Sequence, residues 1–304
     1  MAPERLPLHH REIPGIVSRT VTTWRGKPLR GLYFVESTLA GVATSGDSPK
    51  GPALLLPGSW DPREGEYSDN LIRNLLQASG APAVLEGHYR FDDQDGYVEP
   101  AALVDDLTSI YLDHEDPPTV VGLCFSCPFV LEALLKACEQ EPTPPVVGVL
   151  VIGLGVPGFL NAVGRTALHS HINMKVGAEA RHLKYTGHAH TAGNNARGES
   201  WIRDSRLTRA MRAVDQDAPI QPFPVPVDAL YFRLDVATRQ ARQLTRHVFG
   251  ITGKRPAIPG YHRSLRRRSP ADAMIAAFYE ETQGMSRPNS LDLDASPGVR
   301  TSAD

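Results

Sequence analysis

Gly122-Leu-Cys124-Phe-Ser126 is the stretch of this 304-residue chain whose residue types and spacing best suit covalent chemistry. It follows the apolar run Thr119-Val-Val and precedes Cys127-Pro128-Phe-Val-Leu-Glu-Ala-Leu-Leu, so the order is strand, sharp turn, helix. A nucleophile presented on such a turn needs small residues two before and two after it, because larger side chains would collide with the neighbouring strand and helix. Gly122 and Ser126 meet that need, with Cys124 between them. Cys124 also stands at the N-terminus of the coming helix, where the dipole and free N–H groups favour a thiolate. Pro128 falls in the first helical turn, where a missing N–H costs nothing.

The same residues admit other readings. Gly-x-Cys-x-Ser is a short pattern, and a free cysteine in a strand-to-helix turn is often a small buried hydrophobe. Cys124-Phe-Ser-Cys127 is also a C-x-x-C motif at a helix start, as in thioredoxin-like dithiol sites. At least two strand–helix units precede it, which is more than that short fold provides. Zinc would need a second ligand pair, and the sequence has no other C-x-x-C. Ser126 as nucleophile lacks a glycine two residues before it.

A cysteine nucleophile needs a base to take its proton and a carboxylate to orient the base. On a nucleophile elbow the chain order is nucleophile, acid, histidine, the last two at strand ends. Val225-Pro-Val-Asp228-Ala-Leu-Tyr-Phe-Arg-Leu-Asp235 reads as a strand ending at Asp235, with a helix after it. Pro256-Ala-Ile-Pro-Gly260-Tyr-His262 reads as a short strand ending at His262, ahead of the last helix. Asp228 is a second candidate acid, inside the strand, and His247 a second candidate base, on the helix before. The oxyanion donors expected are the backbone N–H of Phe125, next to the nucleophile, and of Ser59 or Trp60 in the turn Leu56-Pro57-Gly58-Ser59-Trp60.

The elements that must position these residues alternate regularly. Two β-rich runs within 16–45 flank Arg25-Gly26-Lys27-Pro28, a hairpin turn. Short apolar runs at 52–56, 83–85, 119–123 and 146–154 read as buried strands of a parallel sheet. Helical periodicity fills 67–79, 100–114 and 127–140 between them, and strand and helix signals return at 227–234, 238–249, 256–260 and 270–282. This pattern implies an α/β fold with a mostly parallel central sheet flanked by helices. The polar, Gly- and His-rich segment 155–222, with one helix expected near 201–214, interrupts it as an inserted cap or lid. The expected organisation is a core of 16–154 and 223–283, a cap of 155–222, and a disordered polar tail at 285–304.

With the hairpin opening, Pro57-Gly58-Ser59-Trp60, the elbow around Cys124, Asp235 and His262, the sequence resembles the α/β-hydrolase superfamily over about residues 16–283, the insertion excepted. It departs in having Cys where most members have Ser, as dienelactone hydrolases and polyhydroxyalkanoate synthases do. It has Ser126 in place of the second Gly, and Pro57-Gly58 where many members have His-Gly. The resemblance implies a Cys124–His262–Asp235 triad that cleaves or transfers an acyl group of an ester, lactone or thioester through an acyl-cysteine. It also implies a cap that shapes the substrate site, with Phe159, Met174 and Trp201 as lining candidates; packing onto the sheet is the competing role for them. Acyl transfer or cyclisation of a biosynthetic intermediate, and ligand binding without catalysis, are the alternatives.

Composition sets the outer limits. A net charge of −2 with 22% charged residues gives no basic excess for nucleic acid. Three cysteines are too few for a disulfide framework. The longest apolar run, Val146 to Leu160, is broken by four Gly and one Pro and falls short of the roughly 18 residues of a membrane span. MAPERLPLHHREIPG has no apolar signal region, so a cytoplasmic chain is expected. Gly187-His-Ala-His190 reads as a solvated loop, and no metal or cofactor is expected. Arg263, Arg266, Arg267 and Arg268 read as a solvated basic face, with capture of an anionic group as the alternative. The partner expected is a small-molecule acyl substrate or a carrier-bound thioester.

Overall fold

The computed structural model describes residues 12–42, 50–56, 65–89, 99–154, 200–212, 223–233, 258 and 270–284. Strands β1 (Ile16–Val21), β4 (Leu32–Leu39), β5 (Ala53–Leu56), β6 (Val84–Tyr89), β7 (Thr119–Leu123), β8 (Gly148–Ile152) and β9 (Val227–Leu230) form one sheet in the order β1-β4-β6-β5-β7-β8-β9. β4 runs antiparallel to both of its neighbours, and the pairs from β6 to β9 are all parallel. Helices α1 (Gly65–Gln77), α2 (Pro100–Tyr111), α3 (Cys127–Gln140), α4 (Arg206–Arg212) and α5 (Pro270–Gly284) complete the described elements. The expected mostly parallel sheet with flanking helices is what the chain forms.

Central strands are apolar throughout because both faces are covered. Every residue of β5, β7 and β8 is buried, as a strand between two helical layers requires. Leu54, Val120 and Val149 face a core with Leu103 and Leu107 of α2 and Val130 and Leu134 of α3. Leu55, Val121 and Leu150 face a second core with Leu71 and Leu75 of α1 and Ile275 and Phe278 of α5. The chain steps from β5 to β6 in one direction and from β6 to β7 in the other. The strand order therefore reverses beside β5 and β7, and the crevice beyond their carboxyl ends is where open α/β sheets bind ligands.

The N-terminal hairpin differs from the expected one. The long strands β1 and β4 pair directly, Ile16 with Leu39 through Val21 with Phe34. Arg25 and Gly26, at φ 50° and 75°, turn a separate ladder in which β2 (Thr23–Trp24) pairs with β3 (Lys27–Pro28). Two successive residues at positive φ make the tight turn that suits twisted strands. The ladder is anchored by α2 and the loop after it. Trp24 Nε1 donates to Asp113 Oδ2 at 2.7 Å, and Asp106 accepts the backbone N–H groups of Arg30, Gly31 and Leu32.

Beyond β9 the sheet gains one more position. Phe232 and Ile258 form a parallel bridge; Ile258 N donates to Tyr231 O at 2.7 Å and Arg233 N to Ile258 O at 2.8 Å. Of the strand expected at 256–260, only Ile258 lies within the described residues. The helix expected at 238–249 and the tail lie outside the described residues. The helix expected near 201–214 is two pieces, 200–204 and α4, separated at Ser205. Among the described residues no helix is long and apolar enough to cross a membrane.

Candidate active site

Cys124 stands where β7 gives way to a single 3-10 turn, Cys124–Ser126, that runs straight into α3. Leu123 is still extended, at φ −115° and ψ 132°, and Cys124 then turns to φ 47°. Among the described residues only Arg25, in its hairpin turn, shares a positive φ without being glycine. A left-handed backbone disfavours a side chain, and a non-glycine residue held there costs of order 1–3 kcal/mol. The surrounding packing over-determines the turn. A Cβ built on Gly122 would lie 2.9 Å from Val130 Cγ2 and 3.5 Å from the Cys127 Cα. Any side chain at 122 would therefore push α3 away from β7. Ser126, two residues after the cysteine, is buried. The steric logic read from Gly122 and Ser126 is the geometry found.

Exposure separates the two thiols. Cys124 is half-buried, and Cys127 is fully enclosed. The Cys127 Sγ lies 3.3 Å from both Gly122 O and Ile152 O, to which its S–H donates. It thereby braces the ends of β7 and β8 under the elbow. Burial pushes the Cys127 thiol well above its ordinary range, and neighbouring Cys124 adds to the rise. Cys127 is thus an enclosed thiol whose S–H faces backbone carbonyls.

Neighbouring strands bring three more chain segments to the same edge. Leu56 is the register partner of Gly122, so β5 ends beside the elbow. Gly122 pairs with Val151 and Leu123 with Ile152 on β8; Ile152 pairs in turn with Leu230 on β9. The bridge then sets Phe232, three residues before Asp235, against Ile258, four residues before His262. Ser59, Trp60, Asp235, His262, His247, Phe159 and Met174 themselves lie outside the described residues. So does the Phe125 side chain; its backbone belongs to the 3-10 turn.

Asp228 is resolved and sits at the wrong end. It is the second residue of β9, level with Leu150 of β8, and its Oδ1 accepts the N–H of Ala229. In register it lies three residues below the level of Cys124, about 10 Å along the strand direction.

Trp201 stacks on Phe129 of α3, with ring centroids 5.5 Å apart and planes 23° apart. Its ring is half-buried against the α2–α3 core, so packing is the role its described contacts support. Beside it, buried Glu132 accepts the N–H groups of Arg206 at 3.1 Å and Leu207 at 2.7 Å, the first residues of α4. The described residues 200–212 are therefore bolted to the helix that begins at the elbow. Sequence reasoning passed over Glu132. The available signal was a lone carboxylate in the apolar run Phe129-Val-Leu-Glu132-Ala-Leu-Leu, since a buried charge demands partners.

No protein-family model matches the chain, and no curated protein matches it in sequence. Solved structures do. A bacterial heroin esterase superposes with a TM-score of 0.51 at 14% identity, over 90% of this chain and 85% of its own. An esterase of Pyrobaculum calidifontis superposes with a TM-score of 0.49 at 15% identity, over 90% and 87%. The first likeness, together with the mostly parallel central sheet and its flanking helices, shows that the chain has the α/β-hydrolase fold.

Proposed function

We propose that this protein is an acyl-cleaving or acyl-transferring enzyme whose nucleophile is Cys124. The observation that carries the reading is the Cys124 backbone itself. A half-buried thiol is held at φ 47° between a buried strand and a helix N-terminus, a strained conformation of the kind that clusters where a side chain is presented for chemistry. A purely structural cysteine gains nothing from such a position, as Cys127 three residues on illustrates.

In the proposed reaction Cys124 Sγ attacks the carbonyl carbon of an ester, lactone or thioester, and its proton passes to His262. Asp235 orients the imidazole. The N–H of Phe125 and that of Ser59 or Trp60 hold the developing oxyanion, and such donors contribute about 3–4 kcal/mol each in comparable sites. Collapse expels the alcohol or thiol, which takes the proton back from His262, and leaves an acyl-thioester on Cys124. Water, or an amine or alcohol, then releases the acyl group with His262 as base. A thioester intermediate stays reactive toward amines and alcohols, so transfer and cyclisation are open beside hydrolysis, and a carrier-bound thioester is a fitting donor. Segment 155–222 would cover the site, its end fixed by Trp201 and Glu132.

Turnover of an activated aryl ester by the full chain tests this. Cys124→Ala and His262→Ala are expected to abolish it, and Cys127→Ala to retain most of it. Equal loss from Cys124→Ala and Cys127→Ala would point to dithiol chemistry, and full activity in His262→Ala would remove the base from the scheme.

A further inference from the structure

Cys127 is placed to do one thing that acyl chemistry does not use. Its backbone N–H donates to the carbonyl of Cys124 across the 3-10 turn. A bond of that kind keeps the two α-carbons within about 7 Å, and disulfides span about 4.4–6.8 Å. The geometry points to Cys124 and Cys127 as a reversible oxidation site, at which a hydroperoxide converts the elbow cysteine to an intramolecular disulfide and silences it. The inference rests on Cys124 being the reactive thiol of the proposed function.

The steps balance with the hydroperoxide as oxidant. Cys124 thiolate attacks the outer oxygen, the O–O bond breaks, and sulfenic acid forms as alkoxide or hydroxide leaves. The Cys127 sulfur then attacks the Cys124 sulfur. Its S–H proton and the sulfenic hydroxyl leave as water, and the S–S bond forms. The peroxide is reduced by two electrons and the thiol pair is oxidised by two. A small dithiol reverses the change by exchange.

Two features set the character of the site. In the resting state the Cys127 S–H is held by Gly122 O and Ile152 O, which keeps it off the nucleophile. A thiol is a weak donor, so these two hydrogen bonds oppose its turning toward an oxidised Cys124 only weakly. Cys127 is also fully enclosed, so peroxide in solution meets Cys124 first. Without it, the sulfenic acid on an accessible cysteine would proceed to sulfinic acid, which thiols do not reverse. Cys138 cannot substitute: it lies eleven residues from Cys127 on the same helix, about 16 Å along its axis.

The test treats the full chain carrying Cys138→Ser with hydrogen peroxide and follows intact mass, peptide mapping and alkylation of Cys124. The expected product lacks two hydrogens and carries a 124–127 cross-link; Cys124 alkylation falls to background and returns fully with dithiothreitol. With Cys127→Ser added, the product gains oxygen atoms at Cys124 and dithiothreitol no longer restores alkylation once two have been added. Identical, irreversible oxygen addition in both proteins would overturn the inference even if ester turnover is intact. A cross-link in a protein that turns over no ester would support the oxidation site and count against the proposed acyl chemistry alone.

Discussion

Gly122 and Val130 meet between β7 and α3: a Cβ on Gly122 would stand 2.9 Å from Val130 Cγ2. The contact ties the nucleophile turn to the helix behind it, because Val130 is fully buried and has little room to retreat. Gly122→Ala is therefore expected to lower stability by about 1–3 kcal/mol through overpacking and to slow alkylation of Cys124 as the turn shifts. Adding Val130→Ala should restore part of the alkylation rate. Urea unfolding and iodoacetamide kinetics on the single and double variants read both effects.

The two candidate acids separate cleanly. Asp235→Asn is expected to reduce aryl-ester turnover by about 10²–10⁴-fold, the range for loss of a carboxylate that sets histidine tautomer and charge. Asp228→Asn, changed near the amino end of β9, should stay within a few-fold of the parent. Steady-state kinetics of the two variants, with circular dichroism to check folding, make the comparison; the reverse ranking would move the acid to Asp228.

Asp106 is expected to matter for stability alone. Its Oδ2 accepts three consecutive backbone N–H groups, Arg30 at 3.0 Å, Gly31 at 2.7 Å and Leu32 at 2.9 Å. Asp106→Ala strands those donors and should cost about 2–4 kcal/mol by urea unfolding. Asp106→Asn keeps an acceptor oxygen and should cost less.

Asp113 carries a pH signature. Burial pushes its carboxyl up, but the Glu115 N–H, the Arg25 guanidinium and the Trp24 indole together bring it below its ordinary 3.8. A carboxyl lower in the folded than in the unfolded chain binds its proton more readily when unfolded. It stabilises the fold above the ordinary value, and that contribution fades as pH falls through the folded value. Asp113→Asn should therefore reduce Tm near neutrality and narrow the gap to the parent below about pH 4. Melting curves across acid pH test the sign.

Glu132 holds the start of α4. Glu132→Ala removes the acceptor of the Arg206 and Leu207 N–H groups and should speed hydrogen exchange in 200–212 while β5, β7 and β8 stay protected. Uniform acceleration across the sheet would show that the residue supports the whole core instead.

Much of this architecture was legible because its strands are buried on both faces. Leu54 to Leu56, Thr119 to Leu123 and Gly148 to Ile152 read as apolar runs between breakers, and the strands stand there. The elbow was legible for a steric reason, since few contexts demand Gly122 and Ser126 around a reactive residue. Pairing partners were less so. Nothing local to 16–28 distinguishes a hairpin closed at Arg25-Gly26 from strands that meet ten residues apart, because β1–β4 register is set by the sheet. Glu132, and the packing partner of Trp201, escaped for the same reason: Leu207 and Phe129 lie more than 70 residues away in the chain from the residues they meet.

Intact-mass analysis of the protein exposed to a mixed ester and thioester library and quenched in acid reaches the central claim most directly. The account predicts an acyl adduct that maps to Cys124, accumulates with slow-turnover donors and is absent in Cys124→Ala. An adduct on Ser126 or elsewhere, or undiminished turnover by Cys124→Ala, would contradict it.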